Sequence, residues 1–210
     1  MKKLSVLLSF LLLALQANVP NAQMLQAIVV GQSMASPCAL PFTDTFSGTG
    51  ALNSCWISPV SANWGGTVTR LSGYAAWTSG TGNAMALYTG TSPAAQSITL
   101  VAHVISHGAG PVLRGNSANG NGYWWIVNSN TINYLTSGVG YSTSATCPTV
   151  SAGDVITFSV DSSFNFTCKN VSTSTTNTWT DSSVIYSSGK PGVFFVSNLD
   201  LIGTSVISSP

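Results

Sequence analysis

From Cys38 onward the chain is a succession of short runs in which apolar and small polar residues alternate, separated by clusters of Gly, Asn, Ser and Asp. A two-residue period places successive side chains on opposite faces of a strand, whereas a helix needs a period of 3.6 sustained over several turns. No segment after residue 35 sustains that helical period. The runs Val68 to Leu71, Ala84 to Tyr88, Ser97 to Ile105, Val112 to Arg114, Tyr123 to Asn128, Thr131 to Leu135 and Tyr141 to Thr146 read as strands. So do Val155 to Val160, Phe164 to Lys169, Val184 to Tyr186, Val193 to Ser197 and Leu199 to Ile207. Between them, turn chemistry recurs at 79–83, 115–122, 128–130, 137–138 and 188–192. Many short strands at this spacing predict an all-β sandwich or barrel. Ile156, Phe158 and Val160 share one parity, as do Phe164, Phe166 and Cys168, so Asp161-Ser162-Ser163 is expected to close a hairpin with both apolar sets facing a core.

The charge content narrows the function classes. Only 5% of the 210 residues are charged, six Lys or Arg against five acids, and all five acids are Asp. Two of the six cations are Lys2 and Lys3, so no basic footprint for phosphate exists and nucleic-acid binding is excluded. Polarity comes instead from 32 Ser, 23 Thr and 15 Asn, which suits strands, turns and an extracellular surface of hydroxyls and amides. So little charge provides little self-repulsion, which leaves self-association open.

Met1-Lys2-Lys3 followed by an apolar run from Leu4 to Leu15 reads as a secretory signal helix, too short to span a bilayer. The expected division is a signal peptide at 1–22, an N-terminal extension or strand at 23–40, and one β domain at 41–210. Ala17 and Ala22 both fit a cleavage site, and Ser33-Met34-Ala35 has a similar pattern. No later stretch is long and apolar enough to cross a membrane as a helix, so the mature protein is expected outside the cytoplasm, secreted or at the cell surface. The apolar stretch Gln23 to Val30 is either the tail of the signal or a strand offered to a neighbouring subunit. An even cysteine count in an exported chain predicts disulfides. Of the three connectivities open to Cys38, Cys55, Cys147 and Cys168, proximity in sequence favours Cys38–Cys55 and Cys147–Cys168.

A series of local patterns then resembles one superfamily. Phe42-Thr43-Asp44-Thr45-Phe46 with Trp56, and Trp64-Gly65-Gly66-Thr67-Val68, resemble its first strands. Gly110 to Arg114 followed by Gly122 to Val127 resembles a central strand pair, and Ala152-Gly153-Asp154 the turn into a later strand. Phe164 to Asn170, Asp181 and Gly189 to Val193 resemble its close. In this order they resemble the concanavalin A-like lectin/glucanase superfamily, in particular its laminin-G-like and laminarinase-like jelly rolls. The resemblance implies an antiparallel two-sheet jelly-roll β-sandwich. The superfamily's glucanases carry a Glu-x-Asp-x-x-Glu strand; with no Glu and five scattered Asp, this chain is expected to be a non-catalytic member and not an enzyme. The resemblance also implies one structural calcium, for which Asp44 and Asp200, near the two ends of the domain, are the candidates.

The binding candidates are aromatic, since sugar C–H faces stack on exposed rings. Tyr123, Trp124 and Trp125 place rings on both faces of one strand, so at least one Trp is expected to point outward. Trp77 is a further candidate, with Tyr74, Tyr88 and Trp64 less placed and Trp56 expected in the core. Arg114 either donates across the sheet structurally or lines the face with Tyr123 or Trp125; His103 faces away from Leu100; His107 sits in a turn. The primary expectation is a secreted module that binds a carbohydrate or another neutral polymer. The first alternative is a structural subunit of an extracellular filament or surface assembly that uses strand addition. The second is a polysaccharide lyase-like enzyme using His103 or His107 with Arg114.

Overall fold

Alternation becomes strands, and the strands stack as two sheets. The computed structural model describes residues 37–59, 63–136 and 139–210, and the compact unit spans Cys38–Pro210. The signal segment, its cleavage site and the extension up to residue 36 lie outside the described residues. In chain order the strands are β1 (Phe42–Asp44), β2 (Thr49–Ala51), β3 (Trp56–Ile57), β4 (Thr67–Leu71), β5 (Ala75–Ser79), β6 (Ala84–Tyr88), β7 (Gln96–Val104) and β8 (Gly110–Gly115). They continue as β9 (Tyr123–Ile126), β10 (Thr131–Thr136), β11 (Val139–Thr146), β12 (Asp154–Val160), β13 (Asn165–Asn170), β14 (Thr175–Thr180), β15 (Lys190–Phe195) and β16 (Leu201–Ser208). One sheet has nine strands in the order β14-β13-β12-β7-β16-β5-β4-β2, with β1 also on β16. The other has seven, in the order β11-β10-β9-β8-β15-β6-β3. Every strand pairing is antiparallel, which is the expected two-sheet architecture.

The core lies between the inner faces. Ile98, Leu100 and Ala102 of β7, Ile156, Phe158 and Val160 of β12, and Phe166 and Cys168 of β13 come from one sheet. Leu113, Tyr123, Trp125, Val193 and Phe195 meet them from the other. Each of the larger side chains contributes about 1.5–3 kcal/mol by leaving water. The expected β12–β13 hairpin is present, with Val160 opposite Phe166. Phe164 departs from its expected inward place: it has a left-handed backbone (φ 61) and belongs to the turn. The disulfides are Cys38–Cys55 and Cys147–Cys168. The second ties the segment after β11, in one sheet, to β13 in the other.

The expected strand at Val184 to Tyr186 is a loop. The Asp181 carboxylate accepts hydrogen bonds from the backbone N–H groups of Ser183 (2.9 Å) and Ile185 (3.0 Å), which folds the chain around it. Asp44 performs a similar task at the other end of the chain. Its oxygens accept from the Phe46 N–H at 2.7 Å, Trp56 Nε1 at 2.8 Å and Asn53 Nδ2 at 3.1 Å, and Arg70 lies 3.7 Å away. A buried carboxylate so supplied with donors pins β1 to β3, to β4 and to the turn before β3.

Candidate functional site

The outer face of each sheet is where a partner would be met, and the two faces differ. On the seven-stranded sheet, Trp124 points outward as expected, but it does not form an exposed platform. It packs with Trp64, Met85, Leu87, Val112 and Phe194 in a second buried cluster. Trp64 meets Trp124 edge to face at 5.0 Å, and Phe194 lies 5.2 Å from Trp124. The two indoles are 3% and 6% exposed, and neither N–H has an acceptor among the described residues. The 116–121 turn helps to seal them. It is braced by Ala118 N–H on Asn116 Oδ1 (2.8 Å) and Asn121 N–H on Asn119 Oδ1 (3.0 Å). Gly120, with φ +75, lies directly against the Trp64 indole, where any side chain would collide.

Tyr123 and Trp125 point the other way, into the main core. The Tyr123 hydroxyl donates to Asp181 and accepts from the Tyr186 N–H. Burial and the Asp181 hydrogen bond hold its pKa above the ordinary tyrosine value. Arg114 is 2% exposed. Its backbone is left-handed (φ 56), at a register shift between β8 and β15. Its guanidinium donates to the Ser187 and Ala94 carbonyls and stacks 5.2 Å over Phe164, while its N–H donates to Gln96 Oε1 at 3.1 Å. Burial pushes the guanidinium pKa down. Arg114 therefore joins three loops structurally, the first of the two readings of this residue. Trp77 is half-buried against the core, with its N–H on the Ser79 carbonyl at 2.7 Å.

Among the described residues nothing is packed as a layer over the outer face of the nine-stranded sheet, which carries hydroxyls that are exposed or half-buried except for the buried Ser97. The registers align Thr178, Thr167, Ser159, Ser97 and Ser208 as one row across five strands. A second row runs Thr176, Lys169, Thr157, Thr99, Val206 and Thr43. Strands 4.7–4.9 Å apart and side chains alternating along each strand make this a two-dimensional array. Thr99 and Thr157 share a hydrogen bond at 2.8 Å. Lys169 is the one charged side chain in the two rows. Further along β7, at a bulge against β16, His103 stacks on Tyr74 with ring centroids 4.2 Å apart. His103 on this face and Arg114 in the interior are not brought together. The array has no aromatic or acidic residue in its rows, so it escapes a search for stacking rings; its sequence trace is polar residues at alternate positions, Thr157 and Ser159, Asn165, Thr167 and Lys169, and Thr176, Thr178 and Thr180.

Asp200 is fully buried, and its carboxylate accepts from the His107 N–H at 3.1 Å, with His107 Nδ1 3.7 Å away. Its other oxygen has no partner among the described residues. Burial raises its pKa against the opposing pull of His107. Asp44 is engaged by its own set of donors, so the two calcium candidates belong to separate local networks. Among the described residues no group of three or more His, Cys, Asp or Glu is arranged to hold a metal.

No family model matches the chain, and no curated protein matches its sequence. Solved structures do share its fold. A carbohydrate-binding module, CBM66 from Bacillus subtilis, is similar over 74% of this chain and 92% of its own, at 12% identity and a TM-score of 0.50. A xylan β-1,4-xylosidase from Bacillus halodurans is similar over 84% of this chain, at 10% identity and a TM-score of 0.51. This chain spans 40% of that xylosidase. The chain thus shares with these proteins the antiparallel two-sheet β-sandwich fold that the motif order implied.

Proposed function

We propose that the protein is an exported, non-catalytic module that binds a carbohydrate or another neutral polymer at the cell exterior. The observation that carries this reading is the hydroxyl array on the nine-stranded sheet. Rows of Thr and Ser offer donors and acceptors at regular spacing, with methyl groups between them and a single charge. Such a face matches a chain of hydroxyls and C–H groups and gives a charged polymer little to hold. Sheet twist, about 20–25° per strand, favours a single flexible chain over a flat crystalline surface. The fold shared with a carbohydrate-binding module supports the same reading.

The non-catalytic part rests on the acids. Glycoside hydrolysis needs two carboxyls flanking one bond. Asp44, Asp154, Asp161 and Asp181 each accept hydrogen bonds that hold local structure, and Asp200 is buried against His107.

The test is retention of the secreted protein on a panel of neutral polysaccharides, with Thr157→Asp and Thr167→Asp as variants. Retention on at least one neutral glycan, lost in both variants while their melting temperatures stay near the parent's, supports the proposal. Absence of retention on every glycan, or retention that both variants keep, overturns it. Release of new reducing or unsaturated ends from a retained glycan overturns the non-catalytic part.

A further inference from the structure

The ends of the sheets carry an inference independent of glycan binding. A sheet edge presents unpaired N–H and C=O groups, and proteins normally blunt it with charge, Pro, bulges or brevity. In this chain β2 is three residues long around Gly50, and β3 has two residues. The eight-residue β11 contains Gly140, and its partner β10 shifts register against it. β14 is different. Its six residues, Thr175-Thr176-Asn177-Thr178-Trp179-Thr180, include no charge, Pro or Gly, and five of them are exposed. Its pairing with β13 runs without a shift from Asn165↔Thr180 to Asn170↔Thr175.

The hydrogen-bonding side of each residue follows from its neighbours. The Asn165 N–H reaches Asp161 Oδ1 at 2.9 Å and its C=O accepts from the Asp161 N–H at 3.1 Å, both on the β12 side. The Val171 N–H reaches the Val155 C=O on that same side at 2.8 Å. Because backbone groups alternate, Phe166, Cys168 and Asn170 turn theirs toward β14 and pair with Trp179, Asn177 and Thr175. Among the described residues the backbone groups of Thr176, Thr178 and Thr180 are left on the free edge.

These three residues are symmetric about Thr178. We infer that β14 pairs antiparallel with β14 of a second copy of this chain, centred on Thr178. The register places Thr178 opposite its own copy and Thr176 opposite Thr180 twice. Each of the three pairs exchanges two N–H···O bonds, six in all. A two-fold contact needs a self-complementary patch, and this one is self-complementary by register. Trp179, whose ring packs 5.4 Å from Phe166 and is half-buried, falls opposite Asn177 of the partner and gains cover there. Residues 38–210 carry four basic and five acidic side chains, so net charge does not oppose the approach. A single strand pair buries less than a standard interface, so the dimer is reversible and micromolar rather than obligate.

The experiment is sedimentation of the full secreted chain across micromolar concentrations, with residue-resolved amide exchange at a low and a high concentration. The expected result is a dimer in which the Thr176, Thr178 and Thr180 amides slow with concentration, while those of Asn177 and Trp179 are slow throughout. Thr178→Pro removes an N–H that the monomer does not use, and Pro is tolerated on an edge. It deletes two of the six bonds and should weaken the dimer about 30-fold, whereas Thr178→Val should leave it unchanged. If the Pro variant does not fold, the parent's amide pattern decides alone. A chain that stays monomeric at every concentration overturns the inference. So does a dimer unaffected by Thr178→Pro in a folded variant. Protection of the three amides that is independent of concentration also overturns it, because a segment of the same chain would then cover the edge.

Discussion

The two outer faces of the sandwich are built from different alphabets. On the seven-stranded sheet the outward residues are Met85, Leu87, Val112, Trp124 and Phe194, and Trp64 with the 116–121 turn folds back over them. On the nine-stranded sheet most are hydroxyls, among them Thr43, Thr99, Thr157, Ser159, Thr167, Thr176 and Thr178, with Lys169 and Val206 between, and nothing described covers these. The first face behaves as a second core and the second as a surface. An aromatic cluster on a sheet face is thus no guide to a binding surface when its rings are used for packing. The sharpest test of the contrast is Trp124→Ala. As a sealed core residue it should cost about 3–5 kcal/mol of unfolding free energy, read by chemical denaturation. Loss of glycan retention with unchanged stability would make Trp124 a platform and reverse the assignment of the two faces.

The sheets also differ in how they are held together. Cys147–Cys168 crosses between them with a separation of 21 residues, close to the loop size for which a cross-link contributes about 3 kcal/mol. Replacing both cysteines by Ala should lower stability by about that amount. It should also speed amide exchange at the Cys168 end of β13 more than in the centre of β7. Equal acceleration in both places would mean that the bridge stabilises the sandwich as a whole and not the β13–β14 margin of the open sheet.

Much of the open sheet was legible in advance because its buried parity is apolar. Ile156, Phe158 and Val160 announce β12, and the turn at 161–163 announces its partner. β14 carries no such signal. With Thr at four of six positions and a single Trp facing inward, its pattern is that of an edge, held by the ladder to β13 and by one ring. Val184 to Tyr186 misled in the opposite direction: apolar and β-prone, the segment is bent by hydrogen bonds to Asp181 that only the fold supplies. The adjacent rings 123–125 were correctly divided between two faces, but what covers a face depends on distant segments. Trp64 and Gly120 arrive there by tertiary contact, and no local pattern reports it.

Asp200 offers a pH test at the head of β16. Burial raises its pKa above the unfolded value of about 4. Where the native pKa is raised, the native state holds its proton longer than the unfolded chain does. The carboxyl's contribution is therefore most favourable below pH about 4 and is lost as pH rises through the native value. Asp200→Asn removes the buried charge and keeps an oxygen for the His107 N–H. It should raise stability at pH 7 by about 1 kcal/mol, because a neutral amide costs less to bury than an ionised carboxylate, and the gain should vanish near pH 3. A loss of stability at pH 7 would mean that the ionised pair with His107 outweighs the desolvation.

The smallest expected effect tests the open face itself. Thr99 and Thr157 share a hydrogen bond of 2.8 Å, but both remain partly accessible to water. If the nine-stranded face is a true surface, changing both to Val exchanges a solvated hydroxyl pair for a β-branched pair of similar shape. Water replaces nothing that was buried, and Val suits a strand as well as Thr does. The double variant should then unfold within about 0.5 kcal/mol of the parent. Its retention on a neutral glycan should nevertheless fall, because two adjacent donors are removed from the centre of the array. A loss of several kcal/mol would show that the hydroxyls are structural, which would leave both faces of the sandwich as packing and neither as a site. Unchanged stability with unchanged retention would move binding away from the middle of the array, toward the Tyr74–His103 stack beyond it.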